Sequence, residues 1–354
     1  MYRSEEEWNE LSKNLKEIYM SERWSYYGGG KFHTKFQNLA HVELFESVMN
    51  PLLVANGTVA IELAIRAAFD NNCCDGRSIG IPVLTVPMVK WAAERSGCVD
   101  EIQCLDVDPK TFCIKDVPSD LDAVVWVHTG GLISKNTELM FRKCREDKVI
   151  IIEDISHAYG SSYNGRKAGT MGHFHAGSLF GTKVLTCGEG GIVGTHSRIC
   201  YDFMKAMRNQ GKNDNFEQIM DGYNYRASEF TAAIALARIN GFNEEFEMRR
   251  KIANKYDVAL NEIGIRSVEK ELGCVTGLYK YIVRTKCAHK LDDRMENEGF
   301  SLTDWVHDKL LAKGNFPGAE EVADGHVCLQ LVADPLKRNE YINTFKELWK
   351  EINR

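Results

Sequence analysis

The sequence of 354 residues lacks the features that are typical of membrane proteins and of nucleic-acid-binding proteins. It has no run of about 20 apolar residues, the length that a membrane-spanning helix requires. Its first residues, MYRSEEEWNELSKNLKEIY, form an acidic amphipathic stretch without the apolar centre of a signal peptide. It has no excess of positive charge, because the formal net charge is -6 with both signs interspersed. We therefore expect a cytoplasmic protein with no membrane or nucleic-acid partner.

Paired cysteines, repeats and proline-rich linkers are also missing. The eleven cysteines are scattered, odd in number and without a CxxC pair, which indicates reduced thiols rather than a disulfide framework. A metal site would have to use His173, His175 and Cys187, but no third ligand follows the histidine pair at a known spacing. We predict no metal site, and we interpret both histidines as loop residues.

Apolar runs of strand length alternate with helix-like segments through the first two thirds of the chain. The runs PLLVA (51–55), IGIPVLTV (79–86), AVVWVH (123–128) and VIIIED (149–154) show no polar alternation. Such strands, separated by helices, predict an α/β fold with a mostly parallel sheet flanked by helices. A charged helical segment after about residue 240 marks a change. We expect a large domain over 1–240, with an N-terminal helical segment, and a smaller α+β domain over 241–354.

Two strand ends carry candidate site residues, since ligands of open α/β sheets bind outside the carboxyl ends of the strands. At Asn56-Gly57-Thr58 a strand turns into a helix, whose N–H groups and positive end suit a phosphate. An ordinary helix N-cap explains the same residues. Asp154 follows a buried apolar run, where a carboxylate is either functional or paired because burying it alone is costly. We interpret its neighbour Glu153 as solvated or salt-bridged.

A third candidate is Lys183, in the glycine-rich segment SLFGTKVLTCGEGG (178–191). Alone, a lysine in such a stretch is more often a surface charge on a loop. Together with Asp154 it forms the pair that pyridoxal 5'-phosphate (PLP) chemistry requires. The amine forms a Schiff base with the aldehyde, and the carboxylate keeps the pyridine nitrogen protonated.

Seven ordered motifs resemble the DegT/DnrJ/EryC1/StrS family of PLP-dependent sugar aminotransferases. They are the glycines 28–30, NGTVAIELAIRA, DVDPKT, IIEDISHAYG, GRKAGTMG, SLFGTKVLTCGEGG and NYRASEFTAA, and they cover about residues 20–260. The resemblance implies a fold-type-I PLP-dependent transferase with a large PLP-binding domain and a smaller C-terminal domain. It also implies a homodimer with shared active sites.

The resemblance assigns a role to each candidate residue. Lys183 would hold PLP as a covalent aldimine and later shuttle a proton between the substrate carbon and the cofactor. Asp154 would pair with the pyridinium nitrogen, and His157 would lie near the phenolic oxygen. The other cofactor-binding residues would be Gly57, Thr58 and Ser178 at the phosphate, Asn224 reaching it from the neighbouring subunit, and Val86 at the ring. Val86 stands where the family usually has an aromatic residue stacked on the ring, so its contact is smaller.

The implied reaction moves an amino group from L-glutamate or L-glutamine to the keto group of a nucleotide-linked keto-sugar, in amino-sugar biosynthesis. A close alternative substrate is a cyclic polyol ketone, as in the inosose aminotransferases of aminocyclitol biosynthesis. Dehydratases of the superfamily replace the lysine with histidine, so Lys183 favours transamination. A non-catalytic PLP-binding regulator is a further alternative. A phosphate-binding module on GGGKF or GEGG is disfavoured, because neither completes a P-loop or a GxGxxG motif.

Overall fold

The computed structural model describes residues 4–71, 73, 76–268, 272–303 and 311–352. The helices in these residues are α1 (Glu5–Ser21), α2 (Lys31–Glu43), α3 (Gly57–Asp70), α4 (Pro87–Ser96), α5 (Lys135–Glu146), α6 (Arg198–Arg208), α7 (Glu229–Asn240), α8 (Phe242–Asn261), α9 (Ala288–Asn297), α10 (Pro317–Asp324) and α11 (Pro335–Ile352). The strands are β1 (Asn50–Val54), β2 (Ser78–Pro82), β3 (Glu101–Leu105), β4 (Ala123–Val127), β5 (Ile150–Asp154), β6 (Ser162–Tyr163), β7 (Arg166–Lys167), β8 (Phe174–Ser178), β9 (Gly191–Thr195), β10 (Cys274–Val275), β11 (Tyr281–Arg284) and β12 (His326–Leu329). None of the helices in the described ranges is long and apolar enough to cross a bilayer.

Seven strands form the central sheet, in the order β1-β9-β8-β5-β4-β2-β3. The pairs from β8 to β3 are parallel, whereas β9 is antiparallel to both β8 and β1. The predicted mostly parallel sheet is thus confirmed. The antiparallel pair β8–β9 needs no crossover helix, so a loop of residues 179–190 connects the two strands directly.

Helices cover both faces of this sheet. Successive side chains along each strand point to opposite faces, so each strand contributes residues to both cores. Trp126 and Ile151 face the core that contains residues of α1, α2, α5 and α7. Val127 and Ile152, one position further along, face the core that contains residues of α3, α4 and α6. All four side chains are buried. This two-sided burial explains why the central strands read as continuous apolar runs.

The segment predicted as a strand over 79–86 is shorter in the structure. β2 ends at Pro82, and α4 begins at Pro87, whose fixed φ and missing N–H suit the first helical position. Gly97 ends α4 in the left-handed conformation, with φ of 68°. Val86 therefore becomes the N-cap of α4, four residues after the end of β2.

A separate core lies in the C-terminal part of the chain. Residues of α8, α9 and α11 pack there around the antiparallel pair β11–β12. Tyr256, Leu291 and Phe345 are among its buried side chains. The predicted domain boundary falls at Gly241, the residue between α7 and α8, and it stays a prediction.

Candidate active site

A cavity of about 970 Å³ opens at the carboxyl ends of the central strands. The last residues of β4, β5 and β8, which are Val127, Asp154 and Ser178, all line it. Seven of the eight residues that the sequence suggested line this one cavity: Gly57, Thr58, Val86, Asp154, His157, Ser178 and Lys183. The exception is Asn224. The cavity thus lies where open α/β sheets bind ligands.

Lys183 lies in the loop between β8 and β9. Backbone hydrogen bonds close this loop, and the Lys183 N–H donates to the carbonyl oxygen of Phe180 at 2.9 Å. Burial lowers the pKa of Lys183 to about 8 from 10.5, although the charge of Asp154 opposes it, and the nearby charge of Lys280 acts in the same direction as burial. This amine is therefore a stronger nucleophile near neutral pH than an exposed lysine amine.

Asp154 ends β5 with its carboxylate at the cavity and is 4% exposed. One of its oxygens accepts a hydrogen bond from the Ser156 N–H at 2.9 Å. The negative charge of Asp154 attracts the Lys183 ammonium and raises the pKa of that amine, so the two charged groups lie close enough to interact. The sheet therefore brings together the two groups that the sequence paired.

Glu153 is fully buried on the opposite face of β5, so the expectation of a solvated side chain is wrong. Its carboxylate accepts hydrogen bonds from His128 Nε2 at 2.8 Å and from the N–H groups of Gly169, Met171 and Gly172. Burial raises the pKa of Glu153, but the hydrogen bond and charge of His128, together with backbone donors, outweigh burial and hold that pKa below its usual value. The salt-bridged interpretation is the correct one.

The N-terminus of α3 meets the end of β8 at the cavity. Asn56 is the N-cap, because its side-chain oxygen accepts the Val59 N–H at 3.0 Å. A Cβ added to Gly57 would lie only 2.6 Å from the Cβ of Ser178, so this close approach requires glycine. The hydrogen bond of Asn56 confirms the interpretation of these residues as a helix N-cap. It leaves the N–H groups of Gly57 and Thr58 at the positive helix end, where an anion binds well.

His157 lies beside an aromatic residue that the sequence did not indicate. Its ring stacks on that of Tyr279, with centroids 4.2 Å apart and planes 12° from parallel. The Gly130 N–H donates to His157 Nδ1 at 3.3 Å. Tyr279 also lies under Lys183, whose Nζ is 4.6 Å from the ring centroid. No motif signals Tyr279, which precedes β11 far along the chain.

Val86 and Asn224 occupy very different environments. Val86 lines the cavity and is 39% exposed. Asn224 is exposed and pairs through its backbone with Asn209, and it is not among the residues that line the cavity of its own chain.

An outer aromatic wall of the cavity was also not predicted. It consists of Trp91, Tyr223 and Tyr225, and the rings of the two tyrosines stack 4.9 Å apart. Buried Glu62 anchors this wall: it accepts a hydrogen bond from Tyr225 and another from Arg66, which also donates to the Tyr223 hydroxyl. A cavity with such rings is suited to a ligand that has flat or apolar faces.

Of the two histidines expected in a loop, His173 lies just before β8 and His175 lies within that strand. His175 lies within β8 and stacks on Phe45 with centroids 3.8 Å apart, and burial lowers its pKa to about 3. His173 accepts the Ile151 N–H on its Nδ1 at 2.9 Å. Both side chains therefore have structural contacts, and the loop assignment of His175 is wrong.

The fold and the cavity together define a class of protein. An open, mostly parallel sheet with a lysine, a strand-end carboxylate and a helix N-terminus at one cavity is the arrangement of fold-type-I PLP-dependent transferases. A family model described as the DegT/DnrJ/EryC1/StrS aminotransferase family matches residues 6–334, and the chain belongs to that family. Aminotransferases of this family depend on PLP.

Individual relatives are distant. The chain is 29% identical over 239 residues to GDP-perosamine synthase of Escherichia coli O157:H7, which covers 66% of this chain and 63% of that protein. It is 26% identical over 298 residues to L-glutamine:scyllo-inosose aminotransferase of Streptomyces griseus, covering 77% of this chain and 68% of that protein. The match to the first of these spans slightly less than two thirds of that relative's length. The solved aminotransferase TlmJ from Streptoalloteichus hindustanus superposes with a TM-score of 0.85 at 21% identity, over 97% of this chain and 96% of that one, which shows a shared fold.

The residues of the cavity fit PLP. Gly57, Thr58 and Ser178 line the cavity at the N-terminus of α3, where backbone N–H groups suit a phosphate. The lowered pKa of Lys183 gives an amine that can react with an aldehyde. Asp154 supplies a carboxylate at the same cavity. These three groups match the phosphate, the aldehyde and the ring nitrogen of the cofactor.

Proposed function

We propose that this chain is a PLP-dependent aminotransferase that moves an amino group from L-glutamate or L-glutamine to the keto group of a nucleotide-linked keto-sugar. The observation that carries the proposal is the convergence of Lys183 and Asp154 on one cavity beside the N-terminus of α3. Membership of the aminotransferase family supports the reaction class.

Two side chains perform the proton chemistry in this proposal. PLP, when bound, supplies an aldehyde that accepts the amino group and a ring that withdraws electrons from the reacting carbon. With a pKa of about 8, roughly a quarter of Lys183 is neutral at pH 7.5 and able to attack the aldehyde. The donor's amine would then displace Lys183 from the aldehyde. The freed Lys183 Nζ would take the proton from the donor's α-carbon and later return a proton to the substrate carbon. The Asp154 carboxylate keeps the proton on the ring nitrogen.

The remaining side chains would bind and orient the cofactor. Gly57, Thr58 and Ser178 would hold the phosphate at the helix N-terminus, and Val86 would contact the ring. His157, whose Nδ1 accepts the Gly130 N–H, would direct its Nε2 hydrogen to the phenolic oxygen.

Asn224 supports a homodimer with shared sites. It is exposed and absent from the lining of its own cavity, so it is available to a neighbouring subunit's phosphate. Mixing Lys183→Ala subunits with Asn224→Leu subunits should create hybrid dimers with one intact site, restoring roughly a quarter of the wild-type sites. No recovery of activity in a mixture whose hybrids are detected by mass would exclude this arrangement.

The relatives support a nucleotide-linked keto-sugar and leave one alternative. Three of them are named GDP-perosamine synthase, at 28–29% identity. A cyclic polyol ketone is the second candidate, since the Streptomyces griseus relative is named for scyllo-inosose and L-glutamine. Non-catalytic PLP binding is a third, less favoured reading.

We also propose a large domain over 1–240, a small one over 241–354, and a cytoplasmic location.

The first experiment is an absorbance spectrum of the purified protein with PLP, before and after L-glutamate and then L-glutamine. A yellow band that one donor bleaches would establish the first half-reaction and name the donor. Colour restored by a GDP-linked keto-sugar, but not by scyllo-inosose, would identify the acceptor class. Lys183→Ala should lose the band and turnover, while Lys13→Ala, at an exposed lysine of α1, should keep both.

Other outcomes distinguish the alternatives. A band that no donor bleaches would favour a dehydratase or a regulator. A protein that never develops the band would contradict the role of Lys183. A Lys183→Ala variant that still transaminates would do the same.

A further inference from the structure

Tyr279 joins the C-terminal part of the chain to the proposed catalytic lysine. It lies just before β11, yet its ring is 4.6 Å from Lys183 Nζ and stacks on His157 at 4.2 Å. The ammonium of Lys280 is also over this ring, at 5.2 Å. One aromatic side chain thus contacts both the amine and the imidazole of the cavity.

The contact between the Tyr279 ring and Lys183 depends on the charge of the lysine. The face of an aromatic ring attracts an ammonium but has no comparable attraction for a neutral amine. Tyr279 therefore holds the charged lysine at one place beside the cavity, and this hold weakens when the amine loses its proton. Because Lys183 must be neutral to react and charged to deliver a proton, a contact that depends on charge bears on both steps.

The contact with His157 acts on orientation. Stacking fixes the plane of the imidazole, and the Gly130 N–H on Nδ1 fixes its rotation within that plane. When the ring is neutral, its hydrogen is then on Nε2. Loss of the Tyr279 ring would free the imidazole plane while leaving the Gly130 contact in place.

We propose that Tyr279 is a positioning residue that seats the Lys183 amine over its ring and aligns His157 by stacking. The proposal rests on the proposed function, in which Lys183 binds the cofactor. A purely structural role is the rival, since Tyr279 also packs against the core beneath α1, α2, α5 and α7. The two roles differ in whether removal of the ring changes the chemistry of Lys183.

The test measures how fast the apoprotein captures PLP at a series of pH values, by absorbance after rapid mixing. Only the neutral amine reacts, so the capture rate rises with pH, and its midpoint reports the pKa of Lys183 in each variant. The charged groups that face this amine are Asp154 and Lys280, while Glu189 and His157 line the same cavity. All of them are retained in the variants at Tyr279.

Tyr279→Leu should lower the midpoint by about 0.5 to 1.5 pH units, because the ammonium loses its ring contact. Tyr279→Phe is the matched control and should keep the wild-type midpoint. Lys280→Met should raise the midpoint, because it removes a neighbouring positive charge. Opposite shifts in these two variants would not arise from a general loosening of the fold.

A Tyr279→Leu midpoint that equals or exceeds the wild-type value would overturn the proposal while leaving the proposed function standing. If Tyr279→Leu does not fold, Tyr279→Met, with a long apolar side chain, gives the same comparison. A wild-type protein that captures no PLP at any pH would refute the proposed function, and the role of Tyr279 with it.

Discussion

Replacing Lys183 with methionine should stabilise the apoprotein at neutral pH. The lysine ammonium lies in a largely buried position, where burial lowers its pKa from 10.5 to about 8. The folded protein therefore carries a charge that its surroundings disfavour. Methionine retains an unbranched apolar stem of similar length without the charge.

The magnitude follows from the pKa. A fall from 10.5 to about 8 corresponds to about 3 kcal/mol of unfavourable free energy for the charged form. Below pH 8 both the folded and the unfolded wild type keep this proton, so the cost is present in full. Between pH 8 and 10.5 the folded state loses the proton while the unfolded state retains it, so wild-type stability rises with pH. Attraction to the Tyr279 ring offsets part of the cost, which leaves about 2 to 3 kcal/mol at pH 7.

Urea unfolding of both apoproteins, at one protein concentration and at pH 7 and pH 10, measures this difference. The variant should be more stable by about 2 to 3 kcal/mol at pH 7 and by less than about 1 kcal/mol at pH 10. Lys13→Met, at an exposed site of α1, should show no such pH-dependent gain. A Lys183→Met variant that is less stable at pH 7, or whose gain does not change with pH, would refute the reasoning.

Three other substitutions test the remaining contacts. Asp154→Asn should keep the cofactor band but slow turnover on the order of a hundredfold, because the ring nitrogen loses its carboxylate; a near-normal rate would contradict this role. Gly57→Ala should weaken PLP binding and destabilise the fold by about 1 to 3 kcal/mol, since its Cβ meets Ser178; fluorescence titration and thermal melting measure both effects, and unchanged affinity would argue against the phosphate cradle. Glu153→Gln should cost about 3 to 5 kcal/mol in urea unfolding because three backbone N–H groups and His128 lose a buried charged acceptor, whereas Glu146→Gln, at an exposed site of α5, should cost little; equal losses would contradict the structural role.

Much of the sheet could be predicted because its central strands are buried on both faces. β4 and β5 are continuous apolar runs for that reason, and Pro87 and Gly97 mark the two ends of α4. β8 and β9 were harder, since FHAGS and GIVGT are rich in small residues. Their glycines permit close packing: a Cβ on Gly177 would lie 2.5 Å from the Tyr159 hydroxyl. Such strands have a weak apolar signal although they are well packed.

The site residues that could be predicted belong, apart from Val86, to recurring motifs, and most of them lie at or near strand and helix ends. Tyr279 and Trp91 could not be found in this way, because their distances to the cavity depend on how separate elements pack. Tyr279 is distant from Lys183 in sequence and approaches it only through the packing of the C-terminal segment. Trp91 is on α4, where an exposed aromatic residue is ordinary in a sequence. Only the three-dimensional arrangement indicates that its ring faces the cavity.

Neighbouring carboxylates on β5 show how this fold separates structural from reactive charge. Glu153 and Asp154 are both buried, but alternation along the strand sends them to opposite faces of the sheet. Four donors saturate Glu153, so its charge is stabilised and fixes the backbone of residues 169–172 against β5. Among the described residues, Asp154 accepts a hydrogen bond from Ser156 and otherwise faces the cavity and Lys183. A buried carboxylate with few partners is costly. A cationic ligand group that reaches Asp154 in this cavity would therefore be stabilised by pairing with it.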